Sequence, residues 1–443
     1  MKILTVFHDL NDLGGIINNQ EHLHLGFLEL GHDSDVCKLV WKDEVRNRTT
    51  SGKTGLVMGS QGMRLDQRGG WVWPTKRIIP YKGKRNMDKW KAFASTFDLI
   101  IWQIPVPSKN KNNLGNHEWP ELYNVPVKQI AYIHDGHFPK RYPWLYAIRH
   151  HLCGVAATHP CGYHSLIHMD LPRALAFTAQ ADQGYRDAGE SWKDRLPGWF
   201  SLQTFKGWKR VDELVRAVPY MKNCDPMRLA GGGIQWYYMT SKDKCKDDYL
   251  CSIKKDPDLE PGLVGERIWN RAIGNGLDYM GYIQNDMREA ALSEVRFLID
   301  PSWSHNFARY GDHPNRTSID AVINGVVPIA RNHGIAGADD GIGEFFKNQV
   351  NYVMVPWDAT PKQFAEIVDD TMDMPKAVWE DMLEEGRKVA RLWGQIPVAQ
   401  TFIDLYNGVP AGVYKKVEDV GTFNEEVFNK GGEVFDTFFC GEK

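Results

Sequence analysis

The chain has 443 residues, about twice the length of an ordinary domain, so two domains are expected. Hydrophobic residues make up 42% and charged residues 25%, the balance of a globular chain. No apolar run approaches the roughly 20 residues of a membrane helix, so no membrane partner is expected. The net charge of −3 hides an asymmetry: residues 1–150 hold 21 Lys+Arg against 14 Asp+Glu, and the remainder holds 32 against 42.

The N-terminus enters an apolar strand, Ile3-Leu4-Thr5-Val6-Phe7, without a signal-peptide pattern. Seven scattered cysteines argue for reduced thiols in the cytoplasm, that of a host cell if the protein is viral. After the loop Asp9–Gly15, Leu23, Phe27 and Leu30 mark one buried face of a helix that Gly31-His32 ends. Residues 41–91 are rich in Gly, Arg, Lys and Trp and read as an irregular excursion. Residues 42–91 hold 13 basic and 4 acidic residues. That charge fits either a solvated loop or a surface that meets a polyanion. Further strands are expected at Asp98–Ile104, Val127–Ile133 and Gly154–Thr158. Near-continuous apolar strands separated by helices read as a parallel sheet.

A second unit alternates in the same way. Strands are expected at Trp199–Leu202, Met227–Ala230, Tyr279–Ile283, Val295–Ile299, Val326–Ala330 and Tyr352–Val355. Val211, Leu214, Val215 and Val218 mark a helix. Thr360, Pro361 and Gln363 form a capping box that opens another. Ser241–Pro261, rich in Lys and Asp, reads as an inserted loop. The domain boundaries expected are 1–185, 186–395, and a helix with a tail at 396–443 that packs back on the first domain.

Four constellations carry chemistry. Gly14-Gly15 precedes a helix N-terminus, whose free N–H groups suit a diphosphate or a sugar, although a plain tight turn has the same residues. His134-Asp135, with His137, ends an apolar strand, where ligands of open α/β sheets bind. These groups can hydrogen-bond sugar hydroxyls or move a proton; a turn capped by Asp135 is the alternative. Lys206-Gly207 follows the first strand of the second unit and can meet a phosphate. Asp312 and Asp320 stand seven residues apart, ahead of Asn324-Gly325 and the strand with Pro328. Two carboxylates so spaced can each accept from a vicinal diol. Two surface aspartates in a loop and a first helical turn have the same spacing.

In this order the features resemble the retaining GT-B glycosyltransferases, from Lys2 to about Trp393. That family has a glycine loop, a helix ending in Gly-His, a Lys-Gly early in the second domain, and a Glu-x7-Glu pair followed by Gly-x-Pro. Here these are Gly14-Gly15, Gly31-His32, Lys206-Gly207, Asp312 with Asp320, and Gly325-Val326-Val327-Pro328. Both glutamates are aspartates here, and the glycine and proline stand one residue further apart. The family's arginine five residues before the lysine is Ser201, leaving Arg309, Arg316 or Arg331 to meet the diphosphate alongside Lys206. Within the family, Tyr132-Ile133-His134-Asp135-Gly136-His137 and Phe205-Lys206-Gly207-Trp208 are most similar to the DNA α-glucosyltransferases of T-even bacteriophages.

The resemblance implies an α/β GT-B fold, with two Rossmann-like domains facing across a cleft. It implies a donor such as UDP-glucose bound by Gly14, Gly15, Lys206, Asp312, Arg316 and Asp320, with no obligatory metal or cofactor. Asp312 would hold the donor sugar and Asp320 the ribose. His134, Asp135 and Lys206 are the candidate catalytic residues. The implied acceptor is a hydroxymethylated base in double-stranded DNA, met by Lys82, Lys84, Arg85 and His137, with Trp71, Trp73 and Trp90 placed to stack on bases. Two alternatives stay open: a bacterial envelope polysaccharide or glycolipid transferase, and a nucleotide-sugar-binding protein without catalysis.

Overall fold

The computed structural model describes residues 1–8, 15–40, 55–59, 64–65, 71–72, 78–79, 84–104, 123–134, 145, 148–158, 162–163, 166–180, 192–204, 209–232, 264–281, 283, 285–302, 316–331, 341–342, 346–356 and 358–413. The chain divides into two compact units. One is Met1–Asp182 together with the segment that begins at Arg391; the other begins at Gln183 and runs to Ala390.

In the first unit, strands β1 (Lys2–His8), β2 (Asp33–Val40), β3 (Leu99–Ile104), β4 (Lys128–Ile133), β5 (Leu152–Ala157) and β6 (Arg173–Leu175) pair in parallel in the order β6-β5-β4-β3-β1-β2. Helix α1 (Gly15–Glu29) joins β1 to β2, and α2 (Lys84–Ala94) precedes β3. The expected excursion at 41–91 is corrected in part. Gly55–Gly59 pairs antiparallel with β2, Ile78–Ile79 pairs with Gly55–Gly59, and Lys84–Ala94 is helical. Leu23 and Phe27 are fully buried among Ile3, Leu99, Ile101 and Ile130, each contributing about 1.5–3 kcal/mol. Gly31 ends the helix with φ 77°, a conformation that glycine adopts without strain.

Helix α9 (Gln395–Asn407) belongs to this unit and lies along α1. A Cβ at Gly26 would stand 2.3 Å from the Gln395 carbonyl oxygen, so glycine permits the approach. Phe402 meets Phe27 and Tyr132 edge to face. The chain entering α9 is joined to the segment after β6: Gln180 N–H donates to the Trp393 carbonyl at 2.7 Å, and Phe177 stacks on Trp393 at 3.6 Å.

The second unit is a parallel sheet of β7 (Leu196–Thr204), β8 (Met227–Gly232), β9 (Leu277–Gly281), β10 (Val295–Asp300), β11 (Val327–Arg331) and β12 (Val353–Val355), in the order β9-β8-β7-β10-β11-β12. Its helices are α3 (Val211–Ala217), α4 (Val264–Gly274), α5 (Asn285–Glu294), α6 (Arg316–Ile323), α7 (Pro361–Met372) and α8 (Lys376–Ala390). The capping box of α7 forms as read: Gln363 N–H donates to Thr360 Oγ1, and Thr360 N–H donates to Gln363 Oε1. Helices α5 and α6 cover a core of Phe200, Ala291, Leu292, Leu298 and Ala321. Among the described residues no helix is long and apolar enough to cross a membrane.

Each sheet has a point where the strand order reverses: between β1 and β3 in the first, between β7 and β10 in the second. Open α/β sheets bind ligands at the carboxyl ends of the strands flanking that point.

Candidate functional site

At the first reversal point, one face of the sheet changes character along the strands. The positions under α1 run Ile101 to Gln103 on β3, Ile130 to Tyr132 to His134 along β4, and Ala156 to Thr158 along β5. Apolar residues thus give way to polar ones at the carboxyl ends. The stripe of α1 that faces them changes with them, from Phe27 and Leu23 to Gln20 and Asn19. Asn19, Gln20, Gln103 and Thr158 are buried and His134 is half-buried, so the buried groups need partners. Asn19 Nδ2 donates to Gln103 Oε1 at 3.0 Å, Gln103 Nε2 donates to Gln20 Oε1, and Ala179 N–H donates to Asn19 Oδ1.

His134 packs against Tyr132 with ring centroids 4.4 Å apart and the ring planes tilted by 53°. Tyr132 is itself fixed by its hydroxyl, whose one proton is shared between the carbonyls of Ala176 and Phe177 at 2.9 and 2.7 Å. Burial lowers the His134 pKa to about 3, so its imidazole is neutral at physiological pH. Its Nε2 is shielded and has no hydrogen-bond partner. Thr158, whose N–H donates to the Ile133 carbonyl at 2.9 Å, also has an unpartnered, buried hydroxyl.

At the second reversal point the polar groups carry charge. Asp300 ends β10, is 2% exposed, and accepts from Gln203 Nε2 and Ser302 N–H, each at 3.1 Å, and from Ser318 Oγ at 3.5 Å. One carboxylate therefore ties together the ends of β7 and β10 and the first turn of α6. Asp320, one turn further along α6, pairs with Arg288 of α5 at 3.0 Å. Arg331 ends β11; it is 3% exposed and paired with Glu213 of α3, which also pairs with Arg210. Burial first, then the neighbouring Arg210 charge, lowers the Arg331 pKa to about 10.

The candidate residues can now be placed. His134 stands at the end of β4, Gly15 begins α1, and Lys84 and Arg85 begin α2. Arg316 and Asp320 share α6. Gly14, Lys82, Asp135, His137, Lys206 and Asp312, with Arg309, Trp71's side chain and Trp73, lie outside what is described. Two readings are corrected. Trp90 is fully buried against Phe93 and Trp102, with ring centroids 6.2 and 5.8 Å away, so it cannot stack on a base; the apolar stripe of α2 needs it inside. Arg331 is a buried, paired guanidinium within the second unit rather than a cation held ready for a diphosphate. Sequence reasoning missed Asn19, Gln20, Gln103, Gln203, Arg288 and Asp300. The signal for Asn19 and Gln20 was their place on the helical stripe that continues through Leu23 and Phe27.

Cys37, Cys153 and Cys224 are free thiols. Among the described residues, no three His, Cys, Asp or Glu side chains gather as metal ligands would.

No family model matches the sequence, and no curated protein matches it. Solved structures do match its fold. HepE of Anabaena, solved with UDP, superimposes with a TM-score of 0.55 at 11% identity, over 92% of this chain and 100% of that one. TarM of S. aureus, solved as a variant with Fondaparinux, alpha-GlcNAc-glycerol and UDP, gives 0.56 at 10%, over 92% and 100%. Sucrose-phosphate synthase of Thermosynechococcus elongatus gives 0.56 at 14%, over 92% and 99%. The likeness is one of fold: two Rossmann-like units of the GT-B type.

Proposed function

We propose that the chain is a glycosyltransferase that takes a sugar from a UDP-sugar, UDP-glucose or one like it. It passes the sugar, with retention of configuration, to a hydroxymethylated base in bacteriophage DNA. The observation that carries the transferase reading is the charged edge of the second sheet of a GT-B fold, where Asp300 accepts from Gln203 at the reversal point and Arg288 of α5 pairs with Asp320 of α6. HepE and TarM, which share that fold, were solved with UDP.

In this reading residues 186–395 hold the nucleotide. Asp312 meets the sugar and Asp320 the ribose diol. Lys206, which falls between β7 and α3 in the sequence, stabilises the diphosphate as charge develops on it. Gly14 and Gly15 let the backbone at the N-terminus of α1 come close to the donor. Residues 1–185 receive the acceptor, with His134, Asp135 and His137 near the reacting hydroxyl.

The DNA acceptor is supported by residues 42–91, with their 13 basic and 4 acidic side chains. Cations that meet phosphates release condensed counterions, so DNA affinity should fall steeply with salt. Neutralising Lys82, Lys84 and Arg85 together should flatten the log–log slope by roughly 2.7 if each meets one phosphate.

The direct test incubates the protein with hydroxymethylated and plain DNA across a panel of nucleotide sugars, followed by nucleoside mass spectrometry. A glycosylated nucleoside from hydroxymethylated DNA alone is expected. Lys206→Ala should lower its rate more than it raises the donor KM. A second reading, an envelope-glycan transferase, is favoured by TarM with its alpha-GlcNAc-glycerol ligand and by a lipopolysaccharide outer core galactosyltransferase of the same fold at a TM-score of 0.51. It replaces the DNA reading if the wild-type protein binds no DNA at low salt with donor present.

A further inference from the structure

Helix α5 ends at Glu294 and β10 begins at Val295; α6 ends at Ile323 and β11 begins at Val327. β10 and β11 run parallel, so each helix returns the chain to the amino ends of the strands, and its own first turn lies at their carboxyl ends. Arg288 is the fourth residue of α5 and Asp320 the fifth of α6. Ser318, two residues before Asp320, reaches the Asp300 carboxylate where β10 ends. The Arg288–Asp320 pair therefore stands beside the strand-end edge of the second unit. Neither side chain is closed off: they are 19% and 13% exposed.

The geometry of the pair is not the one that ties two helices most firmly. A guanidinium and a carboxylate bind best through two parallel hydrogen bonds. Here one contact joins them, from Arg288 Nη1 to Asp320 Oδ2 at 3.0 Å. Arg288 Nε is shielded without a hydrogen-bond partner, and Asp320 Oδ1 accepts from none of the described residues. A partly solvated pair of this kind stabilises a fold by only about 0–1 kcal/mol. Its distinct effect is on the carboxylate itself. With Oδ2 held, the group no longer turns freely, and Oδ1 is presented as an acceptor. An ionised carboxylate only accepts, so this oxygen repels phosphate and suits a hydroxyl.

We propose that Arg288 is a positioning residue for the nucleotide: by holding Oδ2 of Asp320 it aims Oδ1 at the ribose diol, and the site thereby selects a ribonucleotide over its 2′-deoxy counterpart. The inference rests on the glycosyltransferase reading, in which Asp320 meets the ribose. It adds the residue that sets how that carboxylate faces, and the discrimination that follows. A site built to bond a hydroxyl rejects an analogue lacking it, because a desolvated polar group is left unpaired. That rejection requires a fixed acceptor. A carboxylate free to turn would serve the remaining ribose hydroxyl instead, and the two nucleotides would bind more alike.

The test compares UDP with 2′-deoxy-UDP by calorimetric titration of the full chain, because the ratio of the two affinities isolates one ribose hydroxyl. The wild type should favour UDP about tenfold, the ratio expected for one hydrogen bond to a charged group. Arg288→Met removes the hold on Oδ2 and should bring the ratio down to about threefold or less, mainly by weakening UDP. Arg288→Lys still donates to Oδ2 and should keep most of the ratio. Arg288→Gln stands in if the methionine variant does not fold. An unchanged ratio in the methionine variant overturns the proposal, as does a parallel loss for both nucleotides, which marks a structural role. A wild type that binds the two equally also overturns it and leaves the transferase reading intact. A wild type that binds neither overturns both.

Discussion

Gln103 on β3 and Gln203 on β7 are each the penultimate residue of a strand that borders its sheet's reversal point, and both are buried. Gln103 gives its amide to other amides, whereas Gln203 gives its amide to the Asp300 carboxylate. A glutamine next to the end of a strand bordering the reversal point, the first strand in the second unit and the strand across the reversal point in the first, thus serves a neutral edge in one unit and a charged edge in the other. The surroundings differ accordingly: a neutral imidazole and a threonine hydroxyl beside the first, ion pairs of Arg288, Arg210 and Arg331 beside the second. Topology sets where a ligand approaches, and the strand-end residues give the first edge a neutral, hydrogen-bonding character and the second a charged one.

The largest effect is expected at Asp300. Asp300→Ala strips the acceptor from three buried donors at once. Each unsatisfied donor costs about 1–3 kcal/mol, and neighbouring losses do not add in full; a total of about 3 kcal/mol is expected. Gln103→Met breaks the corresponding neutral connection, leaving Asn19 Nδ2 and Gln20 Oε1 unpaired, and should cost about 2 kcal/mol. Urea unfolding of both variants ranks them. Equal losses would mean that charge adds nothing at the second edge, and the contrast would be one of composition only.

Asp320 tests whether the charged edge holds the donor. Its partner Arg288 occupies one carboxylate oxygen, leaving the other for a diol. Asp320→Ala should weaken UDP binding by about 1.5–3 kcal/mol, the range for a hydrogen bond to a charged group. Arg288→Met should have a smaller effect in the same direction, since it leaves the carboxylate present but unheld. Titration with UDP reads both. An unchanged affinity in a folded Asp320→Ala variant would remove this residue from the donor site and leave Asp320 as an interhelical pair between α5 and α6.

Much of the fold was legible in periodicity, and the reasons for the gaps are physical. Leu23, Phe27, the Val211–Val218 stripe and the Thr360 capping box are local patterns, and local patterns survive in sequence. Strand β2 was overlooked because its first residues, Asp33-Ser34-Asp35, are polar and poor strand formers; parallel pairing with β1 outweighs that preference. Trp90 was misread because its neighbours are cationic, while helical spacing places it with Ala94 on the inward face of α2. The site was less legible. Arg288 and Asp320 are 32 residues apart, and Gln103 is 83 from Gln20, so nothing local joins them. Each edge is an arrangement of ordinary polar residues that only the sheet brings together.

The smallest effect separates the edges by pH. An unfolded imidazole takes a proton near pH 6.5, whereas burial holds that of His134 to about 3 in the folded state. Between those values the unfolded chain binds more protons, so this residue makes stability fall as pH drops from 6.5 towards 3. Asp35 on β2 has the opposite sign. Burial raises its carboxyl pKa to about 6 from an ordinary 3.8, so between these values the folded state binds the extra proton, and stability rises as pH falls. The two contributions oppose each other across pH 4–6, and the wild-type profile shows only their difference. Single variants resolve them. His134→Gln should remove the downward component, so that stability at pH 4.5 rises relative to that at pH 7. Asp35→Asn should remove the upward one and steepen the loss. Urea midpoints at half-unit steps from pH 4 to 7.5 give both slopes. A His134→Gln profile parallel to the wild type would mean that the imidazole is not held neutral by burial. The edge it lines would then carry a proton at mildly acidic pH, and the neutral character that distinguishes it from the charged edge would hold only above pH 6.5.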